Sequence, residues 1–390
     1  MPFLVLLIGL LGLVALLARG PLLMSDFVEY WAAASLTLEG QNPYDPALML
    51  VKERAAGFPG TQALLMLNPP PVLTVILPFG ALPYRQAALL WLIVNTVALL
   101  WCCIALWDLA GGASGLRWVA CCCGLAFVPS LFSLMLGQIS ILLLLGLTLF
   151  LRFERESRLT AAAAASTLLL IKPHVVFLVG AALAVWWIRT RDRRVLLGAG
   201  ALIVMILVPL GFNTGVYGQY LQMSRTESLA HFSTSTLGTL LRIAAGDPSR
   251  FGLQFLPMVL GFAYLATRLR RYRNSAWNWG REMPALVTVS VATAAYGWVF
   301  DQVVLLVAGL PLLAAAFGTG GIRLLAMLAF WLGVGALAFT QAFRAVNSFW
   351  YFWMPHAFLA ALLLSGSSFR HSARTGRPPE SGRRRKGAAG

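Results

Sequence analysis

Asp26 and Glu29 stand three residues apart in Met24-Ser-Asp-Phe-Val-Glu-Tyr-Trp-Ala-Ala-Ala34, directly after the first apolar run of the chain. In a helix, spacings of three and four put Asp26, Glu29 and Tyr30 on one face. Ionisable groups at or inside a bilayer are costly, so two acids at the lip of a span are candidates for chemistry. A carboxylate in a partly dry cavity can act as a general base, taking the proton of a hydroxyl nucleophile during group transfer. The plainer alternative is an interfacial acid that hydrates a span end or pairs with Arg19.

Other polar residues interrupt apolar sequence in the same manner. Lys172 and His174 flank Pro173; a lysine in hydrocarbon costs about 3 kcal/mol on insertion scales. Such a lysine either snorkels, pairs with a buried acid, or offers a cation to the phosphate or pyrophosphate of a lipid head group. Arg225, His231 and Arg242 follow in a long loop, where Arg suits bidentate phosphate contacts and surface exposure is the ordinary account. Tyr296-Gly-Trp298 and Asp301 place aromatics beside an acid at a span end, a combination that can hold the apolar face and the hydroxyls of a sugar. Gln138, after Gly137, is expected to bond neighbouring helices. Gln41-Asn-Pro-Tyr-Asp45 reads as a turn, and Asn68-Pro-Pro-Pro71 as an extended entry to a helix. No zinc spacing, P-loop, dinucleotide fingerprint or nucleophile elbow is present. Acids and aromatics beside cations at one membrane face fit glycosyl transfer from a lipid-linked sugar.

The elements that must position these residues are membrane helices. Of 390 residues, 59% are hydrophobic and 11% charged, against roughly 25% charged in soluble domains; mean hydropathy is +0.77. The net charge of +16 sits in short Arg clusters between apolar runs and in the C-terminal tail, which suits the positive-inside rule and not nucleic-acid binding. All five Cys lie in apolar runs and are expected to be packing residues.

Apolar runs fall at about 3–24, 63–82, 87–107, 118–134, 138–151, 159–171, 175–188, 195–212, 252–267, 283–300, 303–317, 322–340 and 349–364. The first is expected to stay as an uncleaved span, since it lacks a basic leader. The clusters at 189–194 and 268–273 and the tail anchor the cytoplasmic side, which puts Asp301 on the side proposed for Asp26. Parity requires one pair of runs to be a single broken span. The pair 159–171 and 175–188 fits, broken at Lys172-Pro173-His174, where proline disfavours helix in its predecessor. The cluster at 152–158 then falls outside against its weak positive excess; were it inside, another pair would be fused, and the sequence leaves this open.

The expectation is an all-α polytopic membrane protein of about twelve transmembrane helices with both termini cytoplasmic. Residues 1–366 form the transmembrane domain, and 367–390 a basic, disordered tail drawn to anionic lipid. Two long external loops, about 25–62 and 213–251, carry aromatics suited to short interfacial helices.

The order of five stretches resembles glycosyltransferase family 87, the polytopic glycosyltransferases that use polyprenyl-phosphate sugars, also catalogued as a domain of unknown function. They are Ser25-Asp-Phe-Val-Glu-Tyr-Trp31 with Gly40-Gln-Asn-Pro-Tyr-Asp45, Asn68-Pro-Pro-Pro71 running to Pro78 and Leu82-Pro83, Gly137-Gln138-Ile-Ser140, Lys172-Pro173, and Tyr296 to Asp301. The resemblance covers about residues 20–310. It implies a GT-C membrane fold, an extracytoplasmic site in the cell membrane, and inverting transfer without a nucleotide sugar. In the family's mannosyltransferases the acid of the first external loop is the base, which maps onto Asp26. This chain has Ala295-Tyr296-Gly297 where members often have Ser-Pro, and Asn68-Pro69-Pro70 where many have Tyr-Pro-Pro; these departures bear on sugar and acceptor.

The expected function is therefore transfer of a sugar, mannose, from a polyprenyl-phosphate donor to a cell-envelope glycolipid or glycan. Asp26 is the expected catalytic residue. Glu29, Tyr30, Lys172, His174, Arg225, His231, Trp298 and Asp301 are the expected substrate contacts. No cofactor is required, and a divalent metal is permitted but not demanded. The expected partners are donor, acceptor and membrane lipid, with no nucleic acid. The alternatives are a transporter or flippase of lipid-linked glycans, disfavoured by the lack of internal repeats, and a transferase of another polyprenyl-phosphate sugar such as arabinofuranose.

Overall fold

The computed structural model describes residues 23–227, 232–247, 250–273, 275, 277–344 and 348–365. No strand occurs among them. Hydrocarbon offers backbone N–H and C=O groups no water, so an apolar chain satisfies them within helices.

The chain begins with α1 (Ser25–Leu38) and α2 (Pro46–Ala55), the latter started by Asp45, whose side chain accepts the Ala47 and Leu48 N–H groups. A 3-10 turn, Pro70–Val72, opens α3 (Leu73–Gly80), and α4 (Tyr84–Leu109) follows. Next come α5 (Arg117–Ala126), α6 (Val128–Leu136), α7 (Ser140–Arg155) and α8 (Leu159–Ser166), which tightens into a 3-10 segment, Thr167–Ile171. Then follow α9 (Phe177–Thr190), α10 (Arg193–Phe212), α11 (Val216–Thr226), α12 (Leu237–Ala244), α13 (Leu256–Arg271) and α14 (Trp279–Thr293). A second long 3-10 segment, Val299–Leu305, leads into α15 (Leu306–Thr319), and α16 (Gly321–Phe343) and α17 (Trp353–Ser365) complete the described chain.

Five stretches are long and apolar enough to cross a bilayer: Tyr84–Leu109, Arg193–Phe212, Phe251–Arg271, Val299–Thr319 and Gly321–Phe343. Ser114–Ala126 and Val128–Leu136 make a sixth if counted together across their 63° bend. The described residues thus hold five or six stretches of spanning length, beside the shorter apolar helices Pro70–Gly80, Leu159–Ile171 and Phe177–Thr190. The run at 118–134, expected as one span, bends because Pro129 has no N–H to continue the ladder. The run at 63–82 is helical only from Pro70, and 283–300 stops being helical at Thr293. Residues 3–22 of the first run with Arg19, His231 and the tail at 367–390 lie outside the described residues.

Burial sorts the long stretches. Val299–Thr319 is 94% buried and forms the centre, whereas Gly321–Phe343 is 11% buried and Arg193–Phe212 and Phe251–Arg271 are 22% buried each. The latter three turn Leu, Ile and Phe outward, as lipid-facing helices do. Although α1 lies in a stretch expected to hold interfacial helices, it is packed inside: Ala32, Ala33 and Ala34 are buried against α3. A Cβ on Gly80 would lie 2.6 Å from that of Ala34, so the small residues set this close approach. Phe27 locks the start of α1, stacking on Trp91 with ring centroids 5.2 Å apart.

At one end of α14, the fully buried Glu282 accepts from Arg268 (2.7 Å) and from the Tyr272 hydroxyl (2.7 Å). From Glu282 the helix runs about 16 Å to its other end at Thr293, and Asp301 follows in the next segment of the chain.

Candidate functional site

Four interruptions in the helical order meet at one place: the start of α1, the turn between α6 and α7, the break between α8 and α9, and the segment joining α14 to the Val299–Leu305 turn. Together they bring Asp26, Tyr30, Gln138, Ser140, Lys172 and Asp301 into a single hydrogen-bonded network.

Gly137 makes the first turn possible. Its φ of 74° is left-handed, and a Cβ there would lie 2.5 Å from the Cβ of Phe27. Its carbonyl accepts the Trp91 indole N–H at 2.8 Å. Gln138 is thereby aimed at α1. Its amide Nε2 donates to Asp26 Oδ2, while its Oε1 accepts from the Tyr30 hydroxyl (3.0 Å) and from Lys172 Nζ (2.8 Å). Asp26 also accepts the Ser25 hydroxyl at 2.9 Å.

Lys172 is the hub on the other side. Its ammonium reaches Gln138, Ser140 Oγ (3.1 Å) and Asp301 Oδ1 (2.7 Å), and it sits 4.6 Å from the centre of the Phe300 ring. All three ammonium protons therefore have acceptors inside the protein, and only 4% of the residue is exposed. Asp301 is 1% exposed; Ser140 donates to Oδ1 at 2.6 Å and the Trp298 backbone N–H to Oδ2 at 2.9 Å. Three donors, one of them the Lys172 ammonium, offset the cost of burying this carboxylate.

The two acids at helix ends thus differ. Asp301 is neutralised and enclosed. Asp26 receives only neutral donors, has no cationic partner among the described residues, and is half-buried. Glu29 is also half-buried and makes no hydrogen bond or ion pair with a described residue. Burial, reinforced by the Asp26 carboxylate, pushes the Glu29 acid well above its ordinary range. Tyr30 is on the same face but fully buried, its hydroxyl turned to Gln138 and away from any open surface.

The long loops converge on this side. Asn213 donates to the Gln41 carbonyl at 2.8 Å, and Tyr44 and Tyr220 lie 5.4 Å apart by ring centroid, so the stretches 25–62 and 213–251 touch. The second is tied to the late segment: the Ser235 N–H donates to Gly297 O at 2.8 Å and Gln254 Nε2 to Ala295 O at 2.6 Å. Trp298, half-exposed, stacks parallel to Phe300 and meets Phe232 edge-on. His174 packs edge-on to Tyr296 with centroids 6.2 Å apart, and its buried Nε2 has no partner among the described residues. Arg225 is exposed near the end of α11, and Arg242 is buried against Gln254 and Phe251. Among the described residues no group of three His, Cys, Asp or Glu could hold a metal ion; Asp26 and Glu29 offer two half-buried carboxylates.

Sequence reasoning undervalued Gln138 and Ser140 and did not single out Phe300. The signal for the first two was present: a Gly-Gln step and a serine between two runs of otherwise apolar residues.

An all-helical chain with several membrane-capable helices and a buried charge network ending on a half-open acid defines a polytopic membrane protein with an enzyme-like site. The model of glycosyltransferase family 87 matches residues 66–289, more than half of the chain, and the chain belongs to that family. It is a membrane glycosyltransferase. The matched stretch contains Gln138, Ser140 and Lys172. No curated protein and no solved structure matches the chain.

Proposed function

We propose that this glycosyltransferase moves mannose from a polyprenyl-phosphate donor to a hydroxyl of a cell-envelope glycolipid or glycan, at the extracytoplasmic face of the cell membrane and with inversion. The observation that carries the reading is the contrast between the two acids of the network: Asp301 is enclosed and paired with Lys172, whereas Asp26 is half-buried and receives only neutral donors among the described residues.

In this mechanism Asp26 accepts the acceptor's hydroxyl proton as that oxygen attacks the anomeric carbon. The bond from that carbon to the phosphate oxygen breaks on the opposite face, and the electron pair leaves with the polyprenyl phosphate. Gln138 holds the Asp26 carboxylate in place, Lys172 and Tyr30 hold Gln138, and Asp301 holds Lys172. These three are positioning residues, since their polar groups are already engaged within the protein. Glu29, His174 and Trp298 orient the sugars, and an arginine of the second long loop offers positive charge to the leaving phosphate. Mannose, the polyprenyl carrier, about twelve spans with cytoplasmic termini, and independence of a cofactor belong to the same proposal; they rest on the family membership and on the order of its motifs.

The test is transfer by the purified protein from a radiolabelled polyprenyl-phosphate mannose. Asp26→Asn should lower turnover by about 10³-fold or more while donor binding and helicity are kept. Turnover retained by this variant removes Asp26 from the base role.

A further inference from the structure

Backbone without a helical ladder is costly in an apolar setting unless the protein itself supplies partners. Residues 294–298, between the end of α14 and the Val299–Leu305 turn, are such a stretch. Its partners come from the second long loop. Ser235 N–H meets the Gly297 carbonyl, and Gln254 Nε2 meets that of Ala295, the shorter bond at 2.6 Å.

Gln254 is built for this contact. It lies in the 3-10 turn Phe251–Phe255 and is 0% exposed. Its Oε1 accepts from Arg242 Nη1 at 3.0 Å, and its Nε2 also reaches the Thr239 hydroxyl at 3.0 Å. The helix α12 approaches so closely that a Cβ on Gly238 would lie 2.4 Å from Gln254 O. A buried polar cluster with both ends of its amide engaged fixes one arrangement and penalises others. An apolar side chain would fill the same space without setting a direction.

The clasped stretch carries Trp298. Its backbone N–H holds Asp301, so the residue is registered to the polar network. Phe300 lies nearly parallel to the indole, with 9° between the planes, and Phe232 stands edge-on to it at 6.0 Å. Trp298 is still half-exposed, and Phe232 is 43% exposed. Two aromatic rings meeting at an angle, both open to the outside, offer flat apolar area to the C–H face of a pyranose.

We propose that Trp298 and Phe232 form a pyranose subsite, and that Gln254 is a positioning residue that sets the angle of Trp298 through the Ala295 carbonyl. This deepens the proposed function and rests on its sugar transfer. The ring held belongs to donor or acceptor, and separate KM values tell them apart.

The test measures KM for polyprenyl-phosphate mannose and for octyl α-mannoside as acceptor, in wild type, Gln254→Met, Trp298→Ala and the double variant. Gln254→Met keeps the side-chain length and deletes the amide. Each single variant should raise the KM of the same one substrate by about tenfold, with the other KM and kcat near wild type. The double variant should be no worse than Trp298→Ala, because Gln254 acts through that ring. Multiplied losses, unchanged KM values, or both KM values and kcat moving together overturn the proposal. If Gln254→Met does not fold, Thr239→Val, which takes one hydroxyl from the amide, enters the same cycle. Should wild type transfer nothing to octyl mannoside, the failure lies with the proposed reaction, and the clasp is judged without turnover. Hydroxyl-radical labelling, read by peptide mass spectrometry, should then rise at Trp298 in Gln254→Met and stay constant at the exposed Trp118. No rise at Trp298 overturns the clasp.

Discussion

Lys172 Nζ and Asp301 Oδ1 are 2.7 Å apart, both enclosed, with 129 positions of chain between them. A buried ion pair adds little net stability over an apolar pair, yet removing one partner leaves an uncompensated charge. Here the pair also aims Gln138, so its value lies in geometry.

Lys172→Met or Asp301→Asn alone should therefore destabilise the protein by about 3–5 kcal/mol. The double variant should cost less than the sum of the two, since neither charge is stranded. Turnover should stay low in all three because Gln138 loses its anchor. Thermal unfolding in detergent, read beside the transfer assay, checks this; strictly additive losses would show that the pair is not coupled.

Gln138→Leu keeps the volume of the side chain and deletes its links to Asp26, Tyr30 and Lys172. The expected outcome is a fall in kcat of about 10²-fold with donor KM little changed. A rise in KM at constant kcat would instead make Gln138 a substrate contact.

Gly137→Ala meets both a left-handed φ and the Phe27 Cβ. Strain of this kind costs about 1–3 kcal/mol. Melting should drop accordingly, and transfer should fall further than the stability loss explains, because the residue aims Gln138. An unchanged melting temperature would mean the turn rearranges freely.

Glu29 yields a pH signature. Its folded acid is pushed well above the ordinary value of 4.5, first by burial and then by Asp26. An acid that holds its proton more tightly when folded makes no demand below its unfolded pKa and lowers stability as pH rises toward its folded pKa. Glu29→Gln should thus melt higher than wild type at neutral pH and above, with the gap closing toward pH 4.5. A gap constant across pH would point to packing in place of titration.

Much of the helical layout was legible because hydrophobic length is a local property. The run at 87–107 became Tyr84–Leu109 and that at 195–212 became Arg193–Phe212. The break at Lys172-Pro173 is also present, for proline acts on its immediate neighbour. The bend at Phe127 was missed, although Pro129 marks it, because the apolar run continues across it without a polar interruption.

The sequence by itself determined that this chain is a helical membrane protein and which polar residues interrupt its apolar runs. It also carried the motif order of its family. Only the tertiary structure decided which acid is free. Asp26 and Asp301 look alike along the chain, each an acid at a helix end beside aromatics. They differ because Lys172 reaches one directly and the other only through Gln138. Such a choice depends on where distant helices stop and how closely they approach, set here by Gly137 and the packing of Phe27, and no local pattern of residue types encodes it.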